Sequence, residues 1–284
     1  VTLTLSFFTN SLIADTTTLP KTSLPKINAV PGGIVIVDLE LNLNKTNKKA
    51  PVVFYQKKRI MVANNDGRWL GIVGLALTTK PGQHTLQIKG VSKAISFIVK
   101  PKKYAEHHIT SKDKRKVNPN KEDMKRIRRE KVRINSALKH WADSDDVNTR
   151  FVLPVAGKLS STFGLRRFFN EQARKPHSGL DVAAATGTYI KTPANGTIIT
   201  TGNYFFNGNT VFIDHGQGLI TMYCHMNKIS IKQGMKVKQG DIIGEVGETG
   251  RVTGPHLHWS VSLNNARIEP KLFLDAVQLS QKKN

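Results

Sequence analysis

Arg251-Val252-Thr253-Gly254-Pro255-His256-Leu257-His258-Trp259 is the stretch on which the reading of this chain turns. Alternate residues of a strand project to one face, so His-x-His in extended conformation aims both imidazoles at the same surface. Two imidazoles on one surface point to a metal. Upstream, His177-Ser178-Gly179-Leu180-Asp181 offers another imidazole and a carboxylate four residues later, and Tyr223-Cys224-His225-Met226 adds one more histidine. Nitrogen and oxygen ligands of this kind suit zinc. Taken singly, His177 reads as a surface or structural histidine; it is the combined pattern that reverses this.

These motifs belong to a longer ordered set. Phe163-Gly164-Leu165-Arg166-Arg167, His177 to Asp181, Gly208-Asn209-Thr210-Val211 followed by Asp214-His215-Gly216, Tyr223 to His225 and Thr249 to His258 succeed one another along the C-terminal part of the chain. The set covers roughly the last 130 residues, an ordinary domain's length. It resembles the M23-type peptidases, the zinc family that includes lysostaphin and the LytM-like cell-wall endopeptidases. The resemblance implies an antiparallel β fold with a groove on one sheet. It also implies one zinc ion per chain, held by His177, Asp181 and His258, the first histidine and aspartate of His-x-x-x-Asp and the second histidine of His-x-His. One carboxylate and two neutral imidazoles would leave the metal net positive and able to acidify its water. His256 and His225 remain as the non-ligand, catalytic pair. His256 lies on the same strand face as His258 and is the choice for general base. His225 is expected to orient the water or stabilise the oxyanion, though the roles of His225 and His256 could be exchanged and sequence does not separate them.

Other residues of this region have plainer readings. His215 in Asp214-His215-Gly216 reads as structural at a strand end, because four histidines already account for the site. Cys224 is a small buried residue, and a Cys224-His225 nucleophile pair is opposed by the alternation of a strand. Gly247-Glu248-Thr249-Gly250-Arg251 lacks the Gly-Lys-Ser/Thr ending of a phosphate loop and reads as a turn that shapes the groove. Arg166, Arg167 and Arg251 are either receivers of a substrate carboxylate or ordinary surface charges.

With 284 residues the chain is long enough for two cores. Its formal net charge of +23 predicts attraction to polyanions. The single cysteine rules out an intrachain disulfide and says little about compartment. Leu3 to Ala14 resembles the apolar core and cleavage end of a secretory signal without its basic beginning, which favours export; no later segment has the apolar length of a membrane helix.

Composition divides the rest. Residues 1–14 read as a signal remnant and 15–32, polar and proline-containing, as a linker. Residues 33–100 hold short Val- and Ile-rich runs, Ile34 to Leu39, Val52 to Tyr55, Arg59 to Ala63, Trp69 to Leu77, His84 to Ile88 and Ala94 to Val99. The turns Asn65-Asp66-Gly67 and Lys80-Pro81-Gly82 punctuate them, as in a small sandwich-like β domain. Its Pro-Gly-Gly start and Gly71-Ile72-Val73-Gly74-Leu75 look like the N-terminal domain of some Gram-negative M23 proteins. Residues 101–150 form a basic helical connector, in which Met124, Ile127, Ile134, Leu138 and Trp141 recur at helical spacing behind a cap at Asn120, with Asp123 returning the bond. The cluster Lys125, Arg126, Arg128, Arg129, Lys131 and Arg133 lacks interleaved aromatics and any recognition motif, so a solvated face or contact with anionic envelope polymers is favoured over specific nucleic-acid binding. Residues 151–275 are the peptidase-like domain and 276–284 a basic tail.

The expected fold is therefore mainly β, with an N-terminal β-sandwich-like domain, a helical connector and a C-terminal antiparallel catalytic domain of the M23/LytM type. The expected function is a zinc endopeptidase of the periplasm or cell envelope acting on the stem or cross-bridge peptides of peptidoglycan. The alternative is a non-catalytic LytM-like adaptor that activates a wall amidase; the presence of all three ligands and both further histidines argues against it.

Overall fold

The computed structural model describes residues 24–42, 49–111, 114–145 and 147–280. The signal-like run Leu3 to Ala14 lies outside them, as do residues 281–284 of the expected tail, whose first part is the short helix Ala276–Ser280.

The N-terminal domain is two small antiparallel sheets. One orders Ile34–Asn42, Arg68–Gly74 and Met61–Asn65; the other orders Lys58–Arg59, Val53–Tyr55, Gly82–Ile88 and Ile95–Val99. Leu39, Val53, Tyr55, Ile60, Leu86 and Phe97 share the core of this domain. The hairpin at Asn65-Asp66-Gly67 needs positive φ at two successive residues, and Asp66 and Gly67 take 51° and 83°.

The Trp69 run ends as a strand at Gly74 rather than Leu77, because there it meets the second domain. An added Cβ on Gly74 would stand 2.8 Å from the Leu263 carbonyl oxygen. The Asn264 side chain then serves as a strand of one residue, accepting from Gly74 N at 2.7 Å and donating to Gly74 O at 3.0 Å. Gln217 does the same at Val62, accepting from its N at 2.9 Å and donating to its O at 3.1 Å. Ile34, Met61 and Ile72 complete the contact by joining the core cluster of the C-terminal domain.

Residues 24–32 are not a free linker. Lys26 N donates to Leu272 O, Gly32 N to Leu75 O and Glu269 N to Gly32 O, all at 2.8 Å. The polar, proline-containing composition conceals this, since the stitching is done by main-chain groups.

The connector also departs from expectation. Glu106–Ile109 is a strand, parallel to Arg166–Phe169 with Arg167 opposite His107. The long helix runs Lys121–Leu138, and Asn120 Oδ1 caps it by accepting from Asp123 N at 2.8 Å. Asp123 does not return that bond; its buried carboxylate accepts from Arg115 Nε and Nη2 at 2.7 and 2.6 Å. Met124 is 36% exposed, off the apolar stripe. Trp141 lies past the helix end, under the Arg59 guanidinium.

The large sheet of the C-terminal domain orders Lys236–Val237, Gly196–Tyr204, Gly208–Asp214, Leu219–Ile229, His256–Leu263, Leu180–Ala183 and Lys158–Ser161. Leu180, Val182, Val211, Ile213, Tyr223, Leu257 and Trp259 pack into the main core on one face. On the other face, Phe212, Ile220, Met222 and Cys224 lie under Ile134, Ala137 and Leu138 of the long helix. Among the described residues no helix is long and apolar enough to cross a membrane.

Candidate metal centre

Strand alternation settles which side chains meet. With Leu257 and Trp259 in the core, His256 and His258 point to the opposite face, and the register Asp181↔His258 sets the carboxylate beside the second imidazole. His177 arrives from the turn before Leu180–Ala183, its N–H donating to Leu165 O at 2.8 Å.

Three atoms close a triangle. His177 Nε2 lies 2.9 Å from Asp181 Oδ1 and 3.0 Å from His258 Nδ1, and His258 Nδ1 lies 2.7 Å from Asp181 Oδ1. Their outward partners assign the tautomers. His177 Nδ1 donates to the Thr162 carbonyl at 2.7 Å, and Ser161 Oγ stands 3.2 Å from the same nitrogen. Ser260 Oγ spends its hydrogen on Ser178 O at 2.9 Å and so accepts from His258 Nε2 at 3.0 Å. Both inward nitrogens are thereby left with bare lone pairs beside a carboxylate oxygen. Such a set repels itself unless a cation lies among the three atoms, and two imidazole nitrogens with one carboxylate oxygen are a donor set zinc accepts. The ligand-type atoms of His177, Asp181 and His258 all lie within 4.8 Å of one another.

Burial shapes the charges. Desolvation alone would raise the Asp181 carboxyl; in the metal-free chain a proton on the inward nitrogen of His177 or His258 turns that imidazole into a donor to Asp181, and those bonds hold the carboxyl well below the usual carboxylate range. Burial pushes His258 down to about 4, against the pull of Asp181. The same cause takes His225 down to about 3, so its resting form is the neutral imidazole.

His256 and His225 complete the cluster. His256 Nε2 is 4.0 Å from Asp181 Oδ1, and its ring centroid is 4.8 Å from that of His225. Each spends Nδ1–H on a backbone carbonyl, His256 on Gly254 O and His225 on Thr249 O, both at 2.8 Å. Nε2 of each is therefore the lone-pair nitrogen in the neutral ring. His225 reaches its place through a bulge: the register slips between Val211↔Tyr223 and Asn209↔Met226, and His225 takes φ of 65°. The slip also explains why Cys224 and Met226, two apart, enter different cores.

Several contributors escaped the sequence reading. Gly179 is one, since an added Cβ would stand 2.7 Å from both Cε1 and Nε2 of His258. Thr249 is another: beyond its carbonyl, its Oγ1 donates to Met226 O and accepts from Asn209 N, both at 2.9 Å, which pins the turn that orients His225. Ser260 and Ser161 stand at the outward nitrogens of His258 and His177. Only the alternation around His258 could have marked Ser260, as the next residue on its face.

The remaining candidates fall elsewhere. His215 is buried away from the centre, Nδ1 donating to Asn195 O at 2.7 Å and Nε2 facing Thr221 Oγ1 at 2.8 Å. Cys224 is buried, and burial pushes its thiol up to about 12. Arg166 pairs with Glu106 at 2.7 Å, Arg167 reaches Asp181 Oδ2 at 2.7 Å, and the Arg251 guanidinium sits 4.5 Å from the Phe169 ring and 4.4 Å from that of Phe206. Each of the three arginines is thus engaged within the protein.

The family model described as Peptidase family M23 matches residues 175–270, and that of the Peptidase family M23 N-terminal domain matches residues 28–102. A Pseudomonas aeruginosa protein assigned to peptidase M23 has a crystal structure that superposes with a TM-score of 0.71 at 42% identity, covering 87% of this chain and 95% of that one. The peptidoglycan DD-endopeptidase ShyA of Vibrio cholerae is 42% identical over 113 residues, 39% of this chain and 26% of that protein. The DD-carboxypeptidase/endopeptidase Mpg of Neisseria meningitidis is 40% identical over 128 residues, 45% of this chain and 30% of that protein. The matched part thus spans about a quarter to a third of the length of these two curated relatives.

Proposed function

The chain belongs to peptidase family M23, and from that premise we propose that it is a zinc endopeptidase that hydrolyses peptide bonds in the stem or cross-bridge peptides of peptidoglycan. The observation that carries the reading is the triangle of His177 Nε2, Asp181 Oδ1 and His258 Nδ1, whose outward hydrogen bonds leave three lone-pair donors facing one another. The names of the relatives, a peptidoglycan DD-endopeptidase and a DD-carboxypeptidase/endopeptidase, support the substrate class. Peptidoglycan lies outside the cytoplasmic membrane, so the proposed place of action is the periplasm or cell envelope. The net charge of +23 favours that encounter and contact with other anionic envelope polymers.

His177, Asp181 and His258 would hold the ion. Zinc in that position supplies Lewis acidity, polarising the scissile carbonyl and making water a better nucleophile. His256, on the strand face of His258, offers Nε2 as the proton acceptor for attacking water, and the Gly254 carbonyl keeps its ring in that tautomer. His225 is held in the same tautomer by Thr249 and accepts a hydrogen bond from the water; it donates to the oxyanion only after taking up a proton. Whichever imidazole gains the proton returns it to the departing amine.

A complete constellation with its supporting hydrogen bonds favours this over the amidase-activating adaptor. Zinc stoichiometry of the purified protein, joined to mass spectrometry of fragments released from isolated cell walls, tests it. One zinc per chain and new amino termini within the peptides are expected; no bound zinc and intact peptides would favour the adaptor.

A further inference from the structure

We infer that Arg167 is a positioning residue for the metal centre: by occupying Asp181 Oδ2 it leaves Oδ1 as the only carboxylate oxygen available to the ion. Arg167 Nη2 donates to Asp181 Oδ2 at 2.7 Å, with side chains 19% and 7% exposed. The same nitrogen donates to Ser161 Oγ at 3.1 Å, and Ser161 Oγ stands 3.2 Å from His177 Nδ1. One guanidinium thus braces two of the three residues of the triangle.

The chemistry makes this more than an ion pair. A carboxylate with both oxygens free can offer both to a divalent ion, and the second would fill the position that a hydrolytic site keeps open for water. A charge-assisted bond on Oδ2 competes for that oxygen. Its electrostatic cost is a cation close to the ion, so a structural advantage has to offset it; the geometry points to the fixed orientation of Asp181 as that advantage.

The connector helps to aim the guanidinium. Arg167 lies on Arg166–Phe169, whose parallel partner is the connector strand Glu106–Ile109, with Arg166 N donating to Ala105 O at 2.9 Å and Asn170 N to Ile109 O at 3.0 Å. Arg166, its neighbour on the opposite face, is held outward by Glu106 at 2.7 Å. A segment remote in sequence from every ligand therefore fixes the strand from which Arg167 reaches in.

This inference rests on the triangle being the metal site, and the test separates the two. Zinc affinity by chelator competition, together with the visible spectrum of the cobalt-substituted protein, is measured for the unaltered chain, Arg167→Met and Arg167→Lys, with thermal melting of each metal-free form as a control for folding. Arg167→Met should bind zinc about 10- to 100-fold more weakly, the range for lost partners of metal ligands. Its cobalt bands should weaken as Asp181 contributes a second oxygen. Arg167→Lys, which keeps a charged donor on a different stem, should recover part of both. Unchanged or tighter zinc binding in a folded Arg167→Met protein, or a cobalt spectrum identical to that of the parent, overturns the role of Arg167 while leaving the metal site standing. Should Arg167→Met fail to fold, the uncharged Arg167→Gln, measured in the same way, decides: affinity and spectrum equal to the parent would overturn the need for a charged brace on Asp181. Absence of zinc from the unaltered chain would instead refute the metal site itself.

Discussion

Gly179 and His258 are locked together: a methyl group on Gly179 would lie 2.7 Å from the His258 ring and 2.6 Å from the Trp259 carbonyl oxygen, so it could neither be absorbed by ring motion alone nor avoided by the strand. The glycine lies two residues from His177 and two from Asp181, and it gives the imidazole its seat between them. Gly179→Ala should therefore weaken zinc binding about 10- to 100-fold, as for other disturbed partners of a ligand, while far-ultraviolet circular dichroism stays unchanged. Undiminished zinc affinity by chelator competition would show that the ring has room the packing does not reveal.

The division of the five site residues makes a second prediction. His177→Ala, Asp181→Ala and His258→Ala should each lose zinc and hydrolysis together, since a three-ligand site holds its metal poorly with one removed. His256→Ala should keep zinc and lose about 10²- to 10⁴-fold in rate, the usual worth of general acid-base catalysis. Metal analysis of the set checks this, and a metal-free His256 variant beside a zinc-loaded His258 variant would reverse the assignment.

Acid should destabilise the fold through His215, a residue outside the centre. Burial takes its imidazole down to about 4, partly opposed by the Asn195 carbonyl. The unfolded imidazole titrates near about 6.5, so between those values the unfolded chain binds a proton that the folded chain refuses, and stability falls as pH is lowered. Integrated over the window, the loss from this group is on the order of 3 kcal/mol. Denaturant unfolding at several pH values between 7 and 4 should give a shallower acid loss for His215→Gln than for the parent, whatever its stability at neutral pH. Parallel curves would remove His215 from the account.

Some of this arrangement was readable in advance because strand alternation is strict. His256 and His258 fall on one face and Leu257 and Trp259 on the other with no adjustable angle. The helix cap at Asn120 was equally local. What escaped depends on contacts distant in sequence or on backbone that breaks the rule. The bulge at His225 requires a positive φ from a histidine, which no local pattern announces. Glu106–Ile109, with a single aliphatic residue, has no alternation of its own and becomes a strand only because Arg166–Phe169 lies beside it. Asn264 and Gln217 look like ordinary loop residues until they are seen to complete the edges of the neighbouring domain. Arg167 looked like a surface charge or a substrate contact for the same reason, since its partner Asp181 is identified by the fold and not by spacing.

Cys224 offers a reporter for whether the long helix ever leaves the sheet. It is paired with His258 in the register of the sheet, so the helix residues Ile134, Ala137 and Leu138 above it occupy the same face as the triangle of His177, Asp181 and His258, one part of the sheet away. Removing everything before Val152 would bare Phe212, Ile220, Met222 and Cys224, so a shortened chain is expected to aggregate and cannot report on access to His256 and His258. A point change is gentler. Leu138→Ala in a core of this kind costs about 2–5 kcal/mol, and part of that loss falls on the docking of the helix. Cys224 is the only cysteine, and burial makes its thiol inert, so the parent should react with a thiol reagent slowly and the variant about tenfold faster or more. Hydrolysis of a small soluble peptide should be the same in both, because His256 and His258 already retain 16% and 12% side-chain exposure with the helix in place. A variant that gains thiol reactivity and peptide hydrolysis together would instead make the helix an inhibitory cover, and one that gains neither would show that Leu138 does not hold the helix down.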